Sequence, residues 1–278
     1  MKILLAGTPN FSVETFKKII ENFNVVGLIS QPSRPVGRKL IITDPPTITL
    51  AKQFNIKTFQ PTKIDEIYEE LKQMDFDILI TMAYGQIIPL KILQLSKIGS
   101  YNIHASLLPK YRGAAPIQYA IANGDKESGI TFMEMVQKMD AGDILFQEKI
   151  NIENDCYDSL LLKMSRISSN NIVNWIKAIK NSNFTKIKQD ENLVSFSPKI
   201  SKEDEKIQSG TMDDTINKIR SLSSIPGAYL FDTTLNKRIK IFKAIKSPVK
   251  NAIPIKCSDG FVYGIEYQIE GNKKVVLN

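Results

Sequence analysis

An alternation along the first half of the chain constrains its fold more than any other feature. Short apolar runs take turns with segments patterned for helices. Residues 2–6 read Lys-Ile-Leu-Leu-Ala and stop at Gly7-Thr8-Pro9. Residues 12–22 place Val13, Phe16, Ile19 and Ile20 at helical spacing, and the next apolar run is 24–30. Further runs lie at 76–81, 99–103, 129–135 and 144–150. A strand that is apolar on both sides must be covered on both faces. Such strands, separated by helices, build βαβ units and a mainly parallel sheet, an α/β fold. Ligands of these sheets bind beyond the carboxyl ends of the strands.

The second half reads differently. Residues 157–180 predict a long helix, with Leu160, Met164 and Ile167 on one face and then Trp175, Ile176 and Ile179. A polar stretch follows to residue 205, with a strand-like piece at 193–196. Ile216, Ile219 and Leu222 predict a small helix that Ser224-Ile225-Pro226-Gly227 breaks. Short strand-like pieces then follow at 228–231, 238–244, 253–257, 261–268 and 274–277. Turn residues separate them, which predicts a small all-β barrel. We divide the chain into residues 1–188, a linker at 189–205, and residues 206–278. At roughly 100–200 residues per domain, 278 residues fit two domains.

Several chemistries are excluded by what the sequence lacks. The turn after the first strand is Gly7-Thr8-Pro9-Asn10, not G-x-G-x-x-G, and no P-loop occurs. Cys156 and Cys257 form no C-x-x-C pair, and a reducing compartment fits them. His104 is the one histidine, so a multi-histidine metal site is ruled out and no metal is expected. No apolar stretch approaches the ~18 residues of a membrane span. The amino-terminal apolar run is too short for a signal peptide. A cytoplasmic monomer with no membrane association is the expectation.

The formal net charge is +8. Arg34, Arg38 and Lys39 make one basic cluster. Lys237, Arg238, Lys240, Lys243, Lys246 and Lys250 make another, with no acid among them. Clusters of this kind suit an anionic partner. If the second lies in strands, alternation puts only some of its members on one face.

The most informative stretch is 99–116. Asn102 and His104 are two apart at the end of an apolar run, so they share a face of the strand. An amide can donate to an oxyanion without titrating, and an imidazole can move protons near neutral pH. The segment Asn-x-His-x-Ser-Leu-Leu-Pro-x-Tyr-Arg-Gly-Ala-Ala-Pro at 102–116 resembles the folate-dependent formyltransferases. Met139-Asp140-Ala141-Gly142-Asp143 is similar to the second motif of that family. The opening Leu-Ala-Gly-Thr-Pro-x-Phe, the segments at 31–38 and 83–89, and Ser197-Pro198-Lys199-Ile200 extend the likeness over the whole chain. It is strongest to the branch of the family that formylates methionyl-tRNA.

The resemblance implies a Rossmann-like catalytic domain and an OB-like carboxyl-terminal barrel. It implies a formyl transfer from 10-formyltetrahydrofolate, a consumed co-substrate, to the amine of initiator methionyl-tRNA. The alternatives are a nucleotide-sugar N-formyltransferase and a formyltetrahydrofolate hydrolase. Asn102, His104 and Asp140 would be catalytic. Gln86, Ile87, Ile88, Ser106, Leu107, Leu108 and Pro109 would contact the folate. Arg34, Arg38, Lys39, Lys237, Arg238, Lys240 and Lys243 would hold the tRNA. Two departures from the family pattern stand out: the basic loop Gly37-Arg38-Lys39-Leu40 is short, and the second domain is trimmed.

Overall fold

The computed structural model describes residues 1–37 and 39–277. The first half contains β1 (Lys2–Gly7), α1 (Val13–Asn22), β2 (Asn24–Ile29), β3 (Arg34–Val36), β4 (Ile41–Thr43), α2 (Pro46–Gln53) and β5 (Thr58–Phe59). It continues with α3 (Tyr68–Gln73), β6 (Ile78–Met82), α4 (Leu90–Leu93), β7 (Gly99–His104), β8 (Arg112–Gly113) and α5 (Pro116–Ala122). Next come β9 (Glu127–Glu134), β10 (Ile144–Asn151), α6 (Tyr157–Lys180), β11 (Phe196–Ser197) and α7 (Met212–Ser221). The last strands are β12 (Ala228–Asp232), β13 (Lys237–Ile245), β14 (Ile253–Cys257), β15 (Gly260–Ile269) and β16 (Val275–Val276).

The chain forms two compact units. The first comprises Met1–Arg112, Gly129–Glu148 and Leu162–Ser195; the second comprises Gly113–Ser128, Lys149–Leu161 and Phe196–Asn278.

A seven-stranded sheet runs in the order β10-β9-β7-β6-β1-β2-β5. The pairs from β7 to β5 are parallel, and β9 runs antiparallel to β7. Leu4, Ala6 and Leu79 pack with Leu71, Phe76, Ile92 and Leu93 on one face. Their alternates Ile3, Leu5, Ile78 and Ile80 are equally excluded from solvent. Both faces are therefore covered, which is why these strands read as continuous apolar runs. Each fully buried aliphatic side chain contributes roughly 1.5–3 kcal/mol. Trp175 of α6 stacks on Phe132 of β9 and Phe146 of β10, with centroids 5.5 and 5.7 Å away.

In the second unit, β12-β13-β15-β14 is a sheet with β16 paired to β15, and every pair is antiparallel. Ile219 and Leu222 of α7 and its end cover a core of Ile239, Ile241, Ile255, Val262 and Tyr267. Thr211 caps α7: its hydroxyl accepts from the Asp214 N–H, and the Asp214 carboxylate accepts from the Thr211 N–H.

The structure departs from the sequence reading in several places, among them short elements it did not contain: β5, α3, α4 and β8. The strand-like piece read at 193–196 is only β11 at Phe196–Ser197, and Glu191–Leu193 before it form a 3-10 turn capped by Asp190, which accepts from the Asn192 N–H. Leu193 is exposed there, so it has no apolar face to pair. Helices α2 and α5 went unread because each opens on a proline, Pro46 and Pro116. Proline breaks a helix interior but suits its first turn, where no N–H is needed. The β3–β4 hairpin also went unread. It turns at Gly37, whose φ is +70°, and it pairs Arg34 with Thr43 and Val36 with Ile41.

Candidate active site

β7 lies inside the sheet, between β6 and β9. Register places Thr81 beside Asn102 and Thr131 beside His104. Both threonines are buried, so their hydroxyls need partners. Thr81 Oγ1 donates to Asn102 Oδ1 at 2.7 Å. This fixes the amide and leaves its NH₂ to donate elsewhere. Among the described residues that NH₂ makes no hydrogen bond.

His104 is 6% exposed. Its Nε2 lies 2.9 Å from the backbone carbonyl of Tyr111. A carbonyl only accepts, so Nε2 carries a proton in either charge state. Nδ1 is thus the nitrogen left to exchange a proton. It faces Asp140, with Nδ1 and Oδ2 3.6 Å apart. That is ion-pair distance, slightly beyond a hydrogen bond. Tyr111 has φ +61°, and Ser195 Oγ accepts from its N–H at 2.9 Å.

Asp140 sits in a tight turn at φ +50°, a left-handed conformation that aspartate tolerates better than most residues. Gly142 is needed two residues on, because a Cβ there would collide with the Glu134 carbonyl. The Asp143 carbonyl in turn accepts from the Glu134 N–H at 2.9 Å, tying the turn to the end of β9.

The loop after β7 is held by a polar knot around buried Thr131. Thr131 Oγ1 donates to the Ser106 carbonyl at 2.6 Å and accepts from the Leu108 N–H at 3.1 Å. Gln147 Nε2 donates to the Leu108 carbonyl at 2.8 Å and to Thr131 Oγ1 at 2.9 Å. Ser106 Oγ is used within the loop, donating to the Lys110 carbonyl at 2.6 Å. Leu108 packs into a small core with Met133 and Ile144, while Leu107 and Pro109 are half-buried.

The 86–88 segment is divided in its roles. Gln86 brackets a turn, accepting from the Ile64 N–H at 3.0 Å and donating to the Thr62 carbonyl at 3.1 Å. Ile88 is core and Ile87 is 72% exposed. Tyr84 beside them is buried, its hydroxyl has no hydrogen-bond partner among the described residues, and burial pushes its phenol up to about 12.

Three residues missed by the sequence reading brace the site, and all lie in the stretch assigned to a linker. Gln189 Nε2 donates to the carbonyls of Asp140 and Gly142, both at 2.8 Å. Its Oε1 accepts from Arg112 Nε at 3.0 Å. Arg112 is almost fully buried and donates from Nη2 to Glu191 at 2.9 Å. Arg112 first, and then Lys138, holds the Glu191 carboxyl down at about 2. The third is Ser195, already noted at Tyr111. No periodicity marks any of the three.

The basic residues are at the surface. Arg34 and Lys39 are exposed on the β3–β4 hairpin and its turn, and Arg38 lies outside the described residues. Val36, Leu40, Ile41 and Ile42 of the same hairpin are also exposed. On β13, Ile239 and Ile241 point into the core, while Arg238 and Lys240 alternate to the other face. Arg238 lies over the Tyr229 ring at 4.8 Å, and Lys240 Nζ donates to the Pro226 carbonyl at 2.6 Å. Lys237 and Lys243 are exposed. Among the described residues, no cluster of histidine, cysteine and carboxylate suits a metal, and no helix is long and apolar enough to cross a membrane.

A family model described as Formyl transferase matches residues 1–174. A methionyl-tRNA formyltransferase of Mycoplasmopsis pulmonis (strain UAB CTIP) is 49% identical over 281 residues, covering 100% of this chain and 96% of the relative. One from Mycoplasma mycoides subsp. mycoides is 44% identical over 299 residues, covering 100% and 93%. Among solved structures, a sugar 3N-formyl transferase crystallised with dTDP and 5-N-formyl-THF superposes with a TM-score of 0.71. It is 23% identical, covers 98% of this chain and 99% of its own, and so shares the fold. The chain belongs to the methionyl-tRNA formyltransferase family of the formyl transferases.

Proposed function

We propose that this protein transfers the formyl group of 10-formyltetrahydrofolate to the α-amine of initiator methionyl-tRNA, giving N-formylmethionyl-tRNA for translation initiation. The observation that carries the reading is the full-length likeness to methionyl-tRNA formyltransferases at 49% identity. The arrangement of Asn102, His104 and Asp140 supports the chemistry.

The amine nitrogen attacks the formyl carbon, and the carbonyl oxygen becomes an oxyanion. The Asn102 NH₂, held by Thr81, donates to that oxygen. Such a donor is worth about 2.7–4 kcal/mol in a preorganised site. His104 Nδ1 takes the proton that the amine loses, while Nε2 stays on the Tyr111 carbonyl. Asp140 faces the resulting imidazolium and compensates its charge. A shift of under 1 Å closes the 3.6 Å gap to a hydrogen bond, as catalytic contacts commonly tighten on binding. Collapse of the tetrahedral intermediate breaks the bond to N10. The proton then passes to N10, and tetrahydrofolate leaves.

The folate lies against Gln86, Ile87 and Ile88 and the loop Ser106-Leu107-Leu108-Pro109. Exposed Ile87 and half-buried Leu107 and Pro109 offer apolar surface, while Gln86, Ser106 and Leu108 hold the backbone in place. Arg34 and Lys39 on the hairpin, together with Arg38, reach the acceptor end of the tRNA. Lys237, Arg238, Lys240 and Lys243 on an OB-like barrel hold its phosphates. Functionally the chain divides into a catalytic part, 1–188, a connecting stretch, 189–205, and a tRNA-binding part, 206–278. The enzyme acts as a cytoplasmic monomer without a metal.

Competition among acceptors tests the assignment. Purified protein with 10-formyltetrahydrofolate is offered methionyl-tRNA, an amino-sugar nucleotide, or water alone. Formylation of methionyl-tRNA is expected. Transfer to the sugar or hydrolysis, without transfer to the tRNA, overturns it.

A further inference from the structure

We propose that Gln189 is a positioning residue for the transfer reaction, acting through Asp140. The inference rests on the reading that Asp140 works with His104. Asp140 occupies a left-handed turn, and nothing in a free peptide holds it there. Gln189 supplies the hold from across the chain. Its one NH₂ bridges the carbonyls on either side of Ala141, at 2.8 Å each. A side chain that bonds residues 140 and 142 together fixes the orientation of everything between them. The carboxylate of Asp140 is then set 3.6 Å from His104 Nδ1.

Gln189 is itself immobilised. It is 5% exposed, and its amide oxygen is taken by the Nε of Arg112 at 3.0 Å. Arg112 cannot lose its proton, so it defines which end of the Gln189 amide is oxygen and which is NH₂. The NH₂ therefore has to face the turn. Arg112 is braced by Glu191, which also accepts from Lys138 at 3.0 Å. Lys138 lies two residues before Asp140, so the chain of contacts returns to the loop it restrains. Arg112 belongs to the motif that follows His104, eight residues on. The same guanidinium thus links the His104 loop to the Asp140 turn by way of Gln189. Gln189 lies beyond residues 1–174, which match the family model.

A double-mutant cycle tests this on the full-length enzyme. Gln189→Met keeps the length of the side chain and removes both donors. Asp140→Asn keeps the turn and removes the charge. Misplacing a catalytic group by about 1 Å costs about 10²-fold, so Gln189→Met is expected to lower kcat by about that factor with KM for folate and for methionyl-tRNA unchanged. In the Asp140→Asn background the same substitution is expected to change kcat little, because the group it positions is gone. Equal loss in both backgrounds overturns the proposal, as does a loss confined to KM or an unchanged kcat. An unchanged kcat for Asp140→Asn alone overturns the underlying reading of Asp140, a distinguishable failure. Should Gln189→Met not fold, Gln189→Asn, which withdraws the amide by one methylene, goes through the same cycle with the same criteria.

Discussion

The carboxyl end of β7 and the strand β13 carry polar side chains in opposite ways. At β7, Asn102 and His104 lie inside the sheet beside Thr81 and Thr131, and each is tied to a defined partner, Thr81 and the Tyr111 carbonyl. On β13, Arg238 and Lys240 alternate out of a core made by Ile239 and Ile241. Lys237 and Lys243 stay in solvent. A buried polar group without a partner costs about 1–3 kcal/mol, so the first region must be specified atom by atom. An exposed lysine costs nothing of the kind, so the second needs charge density and little geometry. In the proposed reading, one region reacts and the other attracts.

Substitutions can break that contrast. The largest effect is expected from His104→Ala, which removes the proposed proton carrier. General acid–base catalysis is worth about 10²–10⁴-fold, and kcat should fall by that order while the Kd for methionyl-tRNA holds. Initial rates and filter binding on one preparation read both. A parallel loss of affinity would mean that the histidine serves binding.

Thr81→Val tests whether the sheet interior really aims the amide. The lost hydrogen bond is worth about 0.5–1.5 kcal/mol net, so kcat should fall by about tenfold or less. An unchanged rate would show that Asn102 needs no such support.

The smallest effects belong to β13 and to Lys246 just after it. Each phosphate contact contributes ~0.7–0.9 to the dependence of log affinity on log salt. Lys243→Ala should reduce that slope by about one contact. Lys246→Ala should reduce it less, because Lys246 is already paired with Asp213 at 2.7 Å. Equal slopes for the two variants would contradict the distinction between committed and available charge.

How much of this was legible in the sequence follows from the same contrast. Strands buried on both faces announce themselves as apolar runs, so β1, β6, β7 and β9 were readable; the half-exposed β2 and the edge strand β10 still carried enough apolar residues to be read, as did α6. Asn102 and His104 were readable because a period of two fixes their shared face. Asp140 was found through its motif alone, since a turn carries no periodicity. Gln189 and Glu191 were not readable. They lie in a polar stretch with no pattern, and their importance comes from a turn some fifty residues away. The same is true of Arg112, a residue type that is ordinarily exposed and here is 1% exposed. Helices α2 and α5 were hidden by proline, which signals both a break and a beginning.

The central claim is that a locked site performs the transfer while exposed charge gathers the tRNA. Formyl transfer from 10-formyltetrahydrofolate to methionyl-tRNA, measured across a salt series at saturating and at limiting tRNA, tests it most directly. The account predicts a steep fall of kcat/KM with salt and a flat kcat. A kcat that falls in step with kcat/KM, or a kcat/KM indifferent to salt, would contradict it.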